Sequence, residues 1–136
     1  MAKQSVTFKP RGFKFGSARI ANAAGTTAQA VAAAGADDSI IDSIIISSTD
    51  TNPQDVQIIV NDGTNDNIID TVNVPAGSGT DGTHPAVDGL SNAALPLNAQ
   101  NKKVLFLKAG CTLKAAMVAA VTAAKLVTVN AFAEDF

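Results

Sequence analysis

Asp62, Asn65, Asp66 and Asn67 crowd side-chain oxygens into one short stretch, NDGTNDN, and form the best candidate ion site in the sequence. Carboxylate and amide oxygens gathered in a turn are ligands that Ca²⁺ prefers. The spacing differs from that of an EF-hand loop, and the glutamate at the twelfth loop position is missing. Asp-Gly is also a strong hairpin signal. We therefore interpret residues 61–67 as a polar hairpin tip, keep a calcium site as the alternative, and assign no metal ligand.

The remaining reactive side chains are few and isolated. A second acidic group, Asp37, Asp38 and Asp42, has the plainer interpretation of a solvated strand entry. His84, in TDGTHPAV, is the only histidine, so any Ser/His/acid triad would depend on it, and no supporting set surrounds it. Cys111, in LKAGCTLKAA, is interpreted as a small buried hydrophobe rather than a nucleophile. One cysteine and one histidine cannot make a zinc site from a single chain.

Other enzymatic signatures are equally weak. The glycines of PAGSGTDGTHP follow neither Walker nor dinucleotide-binding spacing. Nothing marks two of the 12 acidic residues as a glycosidase pair, and the chain has no Trp or Tyr on which a sugar could stack. We therefore predict no catalytic residue, no cofactor and no enzymatic activity.

Composition favours one domain with a low-charge surface. The chain has 136 residues, 46% hydrophobic and 16% charged, and that length supports a core without disulfides. The first 36 residues carry five basic side chains and no acid, whereas the other 100 carry five lysines and all 12 acids. A basic start of this kind can contact nucleic acid or an acidic protein surface. We favour protein, because Phe8, Phe13 and Phe15 interrupt the charges. With neither a secretory signal nor a membrane-length apolar run, we expect a soluble protein made in the cytoplasm.

Three strands that residues 39–75 should form, SIIDSIIISS, DVQIIV and NIIDTVNVP, organise the fold. Branched side chains between Asn, Asp, Gly and Pro breaks favour successive antiparallel strands, so we predict a central meander. Period two places Val56, Ile58 and Val60 on one face and Ile59 on the other. Ile44 and Ile46 match the first face, and Ile45 falls opposite.

The flanking segments add shorter strands. We predict that residues 1–17 form an extended arm, in which the alternation at Phe13 and Phe15 is a short strand pattern. We predict strands over 19–23 and 27–33, joined by a turn at 24–25. A helix over 27–34 is the alternative. Residues 76–103 are the loosest part, with an edge strand at 94–97. Strands follow over 103–108, 112–124 and 126–132, with a hairpin at TAAK between the last two. For 112–124 a helix is the alternative.

These expectations give an all-β protein with seven to nine short strands. Turns every 8–12 residues are typical of an antiparallel β-sandwich or jelly roll. We place the boundary between the extended N-terminal arm and the sandwich domain at residues 17 and 18, so that the sandwich covers 18–136.

Three strings, IIDSIIISSTDTNPQDVQIIVNDGT, IIDTVNVPAGSGTDGTHPAV and VLFLKAGCTLKAAMVAAVTAAKLVTVNAFAEDF, resemble small virion proteins of tailed bacteriophages. The likeness covers most of residues 27–136 and lies in segment order. It implies a capsid decoration, or cement, protein that bridges neighbouring capsid subunits. By the same resemblance the partners would be the major capsid protein and other copies of the chain, often as a trimer, and the location would be the capsid surface.

No residue-level site follows from the resemblance, and two alternatives stay open. One is a virion module associated with the tail or fibres. The other is a ligand-binding or carbohydrate-binding β-sandwich, against which the missing Trp and Tyr count. Nucleic acid and membrane are not expected partners.

Overall fold

The computed structural model describes residues 12–136, which form two antiparallel β-sheets packed face to face. One short 3₁₀ helix, Asn22–Ala24, is present, and the described residues contain no α-helix. The predicted all-β sandwich is therefore confirmed. Within residues 12–136 the strands are β1 (Gly12–Ala21), β2 (Gln29–Ala33), β3 (Ser39–Ser48), β4 (Gln54–Asn61), β5 (Asp66–Val74), β6 (Val87–Asp88), β7 (Leu105–Leu107), β8 (Thr112–Met117) and β9 (Leu126–Asp135).

The strand order is that of a jelly roll. The five-stranded sheet has the order β1-β9-β3-β6, with β7 also paired to β3, and the four-stranded sheet has the order β2-β8-β4-β5. Thus the first strand pairs with the last, the second with the next to last, and β4 with β5. This is the pairing of one long hairpin rolled up around its own axis, with the β4–β5 turn at its tip.

Strands β6 and β7 act as one interrupted strand along the edge of β3. Val87 and Asp88 pair with Ile46 and Ile45, and Leu105–Leu107 pair with Ser39–Ile41, all antiparallel. The Gly89 N–H continues the ladder by donating to the Ile44 carbonyl at 2.8 Å. Residues 90–104 therefore form an excursion that leaves the edge of the five-stranded sheet and returns to it.

The core fills the space between the two sheets with branched aliphatic side chains. Ile41, Ile44 and Ile46 of β3 are fully buried, as are Val56 and Ile58 of β4. The period-two faces predicted for Ile44 with Ile46 and for Val56 with Ile58 are therefore confirmed, and in both strands these residues face the core. Ile45 is exposed on the outer face. Ile59 also faces outward but is buried on that side of the four-stranded sheet, where Ile68 and Lys114 are its cross-strand neighbours.

The predicted boundary of the N-terminal arm at residue 17 is wrong. Residues 12–17 belong to β1, which pairs with β9 along its whole length from Gly12↔Asp135 to Ala21↔Leu126. The predicted strand pattern at Phe13 and Phe15 is confirmed, because the alternation continues without a break into buried Ala18 and Ile20. The rest of the predicted arm, residues 1–11, lies outside the described residues.

The segment after β1 turns a corner instead of forming the predicted hairpin. The first strand ends at Ala21, and the 3₁₀ turn with Gly25 at φ 55° sends the chain to the other sheet. The second predicted strand is shorter than expected, Gln29–Ala33, and pairs with β8. The helix considered for residues 27–34 does not form.

The central meander is right in its strands and wrong in one pairing. All three predicted strands form, and β4 and β5 make the expected hairpin with Gly63 at φ 98°. However, β3 belongs to the opposite sheet and pairs with β9. The same applies to the predicted TAAK hairpin, since β8 and β9 also lie in different sheets. Rolling the long hairpin places β3 and β4, like β8 and β9, in opposite layers although they follow one another in sequence, and a local pattern cannot reveal this.

Smaller corrections concern the second half of the chain. The edge strand predicted at residues 94–97 is reduced to an isolated bridge between Leu97 and Lys103. The strand predicted over 103–108 spans only Leu105–Leu107. Strand was the right choice over helix for 112–124, although it ends at Met117. The last strand runs beyond the predicted residue 132 to Asp135.

Candidate functional site

The acidic turn between β4 and β5 is closed by its own hydrogen bonds. One oxygen of the Asp62 carboxylate accepts the N–H groups of Thr64 and Asn65 at 2.9 and 2.8 Å. These bonds, with the one to Asn65 contributing most, lower the pKa of Asp62. Asp66 accepts the Asn61 amide at 2.7 Å and lies 3.5 Å from the Lys114 ammonium. The Asp62 and Asp66 carboxylates, two of the groups considered for a calcium site, are thus engaged in shaping the turn and in contacts with neighbouring side chains.

The second acidic group does not converge on one point. Asp38 adopts φ 70°, and its carboxylate accepts the N–H of Ala109 at 2.7 Å, which fixes the turn that leads from β7 to β8. Asp42 is the extra residue of a bulge in β3 and borders two surface grooves. Within residues 12–136 no three His, Cys, Asp or Glu side chains are placed to hold a metal ion.

His84 is paired with a carboxylate but with no nucleophile. Its Nδ1 lies 2.7 Å from Oδ2 of Asp81, whose other oxygen accepts the N–H groups of Thr83 and His84 at 2.8 Å each. The His84 bonds are the main cause that lowers the pKa of Asp81. No Ser, Thr or Cys of the described chain hydrogen-bonds to His84. The pair therefore holds a loop in shape, and Cys111 lies apart, half-buried against the core.

A buried carboxylate that the sequence pattern did not single out joins three loops at one end of the sandwich. Asp50, 1% exposed, accepts four hydrogen bonds, from the Asn52 N–H at 3.0 Å, Gln54 Nε2 at 2.8 Å, and the Thr122 N–H and hydroxyl at 2.9 and 2.8 Å. Its carbonyl accepts the Gly77 N–H. Desolvation raises the pKa of Asp50, but the bonds from Thr122 and Asn52 outweigh it and lower the pKa from 3.8 to about 2. With every oxygen satisfied, Asp50 is a structural group.

A second polar cluster lies near the N-terminal end of β1 and links it to neighbouring strands. The Lys14 ammonium lies 2.7 Å from Asp135 of β9, and it also contacts the Ala33 carbonyl of β2. The Ser39 hydroxyl donates to Asp135 at 2.5 Å and accepts the Gly35 N–H at 2.8 Å. The Lys14 ammonium is the main cause that lowers the pKa of Asp135. The cluster joins β1, β2, β3 and β9, so it too has a structural role.

The outer face of the five-stranded sheet carries four of the five phenylalanines among residues 12–136. Phe13 is 82% exposed, Phe15 and Phe106 are each 59% exposed, and Phe132 is 45% exposed. No phenylalanine of the described chain belongs to the buried core. Aromatic rings normally dominate cores because each can bury a large area. Four of the five described rings instead lie on one outer surface of the sandwich.

Strand register brings these rings together from distant parts of the sequence. Phe13, Glu134, Ile40 and Phe106 follow one another across β1, β9, β3 and β7. In the next row Phe15 lies opposite Phe132, with ring centroids 5.3 Å apart and planes tilted by 55°. Directly paired residues of an antiparallel sheet share a face. We call the surface formed by Phe13, Phe15, Ile40, Phe106 and Phe132 the aromatic face.

The aromatic face continues into a groove. The excursion of residues 90–104 and the outer face of β3 and β7 enclose a volume of about 650 Å³. Ile40, Val104 and Phe106 line its apolar part, and Asp42, Gln100 and Glu134 its polar part. The groove therefore combines apolar contact with negative charge, which suits a partner that presents both apolar and basic side chains.

The sequence contained a signal for this surface that the prediction did not use. In Leu105-Phe106-Leu107 and Ala131-Phe132-Ala133 each phenylalanine stands between two residues that are buried in the core. Period two then requires the ring to point away from the core. What the sequence could not supply is the register that brings Phe132 beside Phe15.

The chain was compared with protein-family models, curated proteins and solved structures, and none of the three comparisons found a match. Among residues 12–136, no helix is both long and apolar enough to cross a membrane.

Proposed function

We propose that the protein is a structural virion component that decorates or cements the capsid of a tailed bacteriophage by contacting neighbouring protein subunits. The observation that carries this proposal is the aromatic face, an apolar surface spread over four strands of a rigid sheet. Large apolar patches on soluble domains mark sites of association. Among the described residues, the polar groups that looked reactive serve turns and loop contacts instead.

Two further features support a structural role. Jelly rolls are common in viral capsid proteins, although a fold alone does not determine function. Copies held on a closed shell would also gain avidity, so a modest contact area per copy would suffice for firm attachment. By the resemblance noted above, the partners would be the major capsid protein and other copies of this chain.

The groove beside Phe106 favours one alternative of another class. Jelly rolls also occur in lectins, and Asp42, Gln100 and Glu134 offer hydrogen-bonding groups next to an apolar ring. Carbohydrate binding is thus the second candidate function. It would place the ligand in the groove and leave Phe13 and Phe15, at the far side of the aromatic face, without a role.

Co-sedimentation with capsids that lack the protein tests the proposal. The double variant Phe15→Ser/Phe132→Ser removes the paired rings from the aromatic face. Val118→Ser is the matched control, because Val118 is 50% exposed in the connection that follows β8. We expect the control to bind as wild type and the double variant to bind at least about tenfold more weakly, since two exposed aromatic anchors account for roughly 2 kcal/mol or more.

Two results would reject the decoration role. One is a wild-type protein that does not sediment with capsids at any concentration tested. The other is saturable binding to a glycan array that Phe106→Ser abolishes and the Phe15→Ser/Phe132→Ser variant leaves intact, because that pattern assigns the surface to sugar.

A further inference from the structure

We propose that the aromatic face and its groove bind residues 1–11 of a second copy of the chain. The inference rests on the proposed role of this face as a protein interface, and it names the occupant. Copies would then be linked by exchanged N-terminal segments.

The chemistry of the segment complements that of the surface. Residues 1–11, MAKQSVTFKPR, carry Lys3, Lys9 and Arg11 with no acidic side chain, and Val6 and Phe8 provide apolar anchors. Glu134 lies between Phe13 and Ile40 in the first row of the aromatic face, and Asp42 and Glu134 both line the groove. An apolar and basic peptide of this kind would therefore place Phe8 on the phenylalanines of the face and its charges beside carboxylates.

The length of the segment is sufficient for the surface. Crossing from β1 to β7 takes three steps between strands, about 14 Å at about 4.8 Å each. Eleven residues in extended form reach about 36 Å at about 3.3 Å each. The segment can thus leave one copy, span the gap between two molecules and still cover the aromatic face of the other.

Strand direction and sequence favour a second copy over the same one. Gly12 is still paired with Asp135 in β1, so the strand is directed off the end of the sheet at that point. Lys9 precedes Pro10, and a residue before proline favours an extended backbone. A segment that continued in this direction would leave the face of its own copy, so a second copy is the occupant that we propose.

A complementation experiment tests the exchange. Variant one lacks residues 2–11 and keeps the aromatic face. Variant two keeps the segment and carries Phe15→Ser/Phe132→Ser. Light scattering should find the wild type oligomeric and each variant alone monomeric, and an equimolar mixture should form a heterodimer. The inference would be overturned if variant one still formed oligomers of wild-type size without residues 2–11, or if the mixture of the two variants stayed monomeric.

A labelled peptide of residues 1–11 gives a second measurement that does not depend on oligomer assembly. It should bind variant one saturably, as followed by fluorescence anisotropy. A peptide with Phe8→Ser should bind at least about tenfold more weakly, because it lacks its aromatic anchor. High salt should weaken binding several-fold through screening of the ion pairs with Asp42 and Glu134. Equal binding of both peptides would reject the proposed mode.

The two proposals fail separately. Oligomers that exchange segments but do not bind capsids would reject the decoration function and keep this inference. Capsid binding by a protein that is monomeric with or without residues 2–11 would keep the decoration function and reject the exchange.

Discussion

Replacing Asp50 by asparagine should destabilise the fold, because it disturbs a buried carboxylate that joins three loops. The carboxylate has two oxygens, and each accepts two hydrogen bonds. Asparagine keeps one oxygen and puts an NH₂ group where the other was. In the least costly orientation that group replaces Oδ1, where the Thr122 hydroxyl can turn and accept, but the Asn52 N–H loses its acceptor.

The structure allows the size of the effect to be worked out. One buried N–H without a partner costs about 1–3 kcal/mol, and the loss of the charge weakens the two bonds that remain by roughly 1 kcal/mol in total. The free energy of unfolding should therefore fall by about 3 kcal/mol. With a urea dependence of about 1.5 kcal/mol/M, that loss lowers the unfolding midpoint by about 2 M.

The same carboxylate gives a prediction about acid. Its pKa is about 2 in the folded protein against an ordinary 3.8, so folding favours the charged form. The resulting stabilisation, about 2 kcal/mol at 1.36 kcal/mol per pH unit, is present above the unfolded pKa and is lost as the pH falls through the folded pKa. The stability gap between wild type and Asp50→Asn should therefore narrow between about pH 4 and pH 2.

Urea unfolding followed by far-ultraviolet circular dichroism measures both effects. Asp55→Asn serves as the control, because Asp55 is exposed on neighbouring β4 and accepts one bond from Asn73 at 3.0 Å. The control should cost less than about 1 kcal/mol. If Asp50→Asn costs no more than the control, or if the gap stays constant as the pH falls, the structural role assigned to Asp50 is wrong.

Three further predictions concern the ends of the sandwich and its outer face. Gly16→Ala should lower the free energy of unfolding, measured in urea, by about 2 kcal/mol, because a Cβ at residue 16 would lie 2.2 Å from the Val31 carbonyl oxygen. Gly12→Ala is the control, because a Cβ at residue 12 would have nothing within 4 Å. Equal stabilities of the two variants would contradict the packing of β1 on β2. Lys14→Gln should lower the free energy of unfolding by at most about 1 kcal/mol, since the ion pair with Asp135 is partly exposed. This loss should be present above the unfolded pKa of Asp135 and should fade as the pH falls through its lowered folded pKa. A loss that does not depend on pH would contradict the role of the ion pair. The Phe15→Ser/Phe132→Ser variant should lose less than about 1.5 kcal/mol of stability, and a thermal melt showing an unfolded protein would place those rings in the core instead of on the surface.

The positions of the strands could be predicted because they depend on local chemistry. Ile and Val density sets where β3, β4 and β5 run, and Asp62-Gly63 marks the hairpin between β4 and β5. Pairing could not be predicted, because consecutive strands usually lie side by side, and here β3 and β4 lie in opposite sheets. The strand predicted at residues 94–97 was wrong because these residues belong to the excursion between β6 and β7, where the chain leaves the edge of the sheet.

The candidate site was harder to anticipate than the fold. The residues that looked reactive, Asp62 and His84, serve turns, since short polar side chains bond to nearby backbone groups as readily as to ligands. Asp50 gave no signal because its partner Thr122 is far away in sequence. Phe15 and Phe132 meet only through the register of β1 with β9, so an aromatic surface that the alternation indicates strand by strand becomes continuous only in three dimensions.

Quantitative mass spectrometry of purified phage particles tests the proposed function most directly. Heads and tails are separated, and the copy number of this chain is measured relative to the major capsid protein. The decoration role predicts that the chain is found in heads, in numbers comparable to those of the capsid subunits. A handful of copies per particle, a location restricted to tails, or absence from the particle would contradict it.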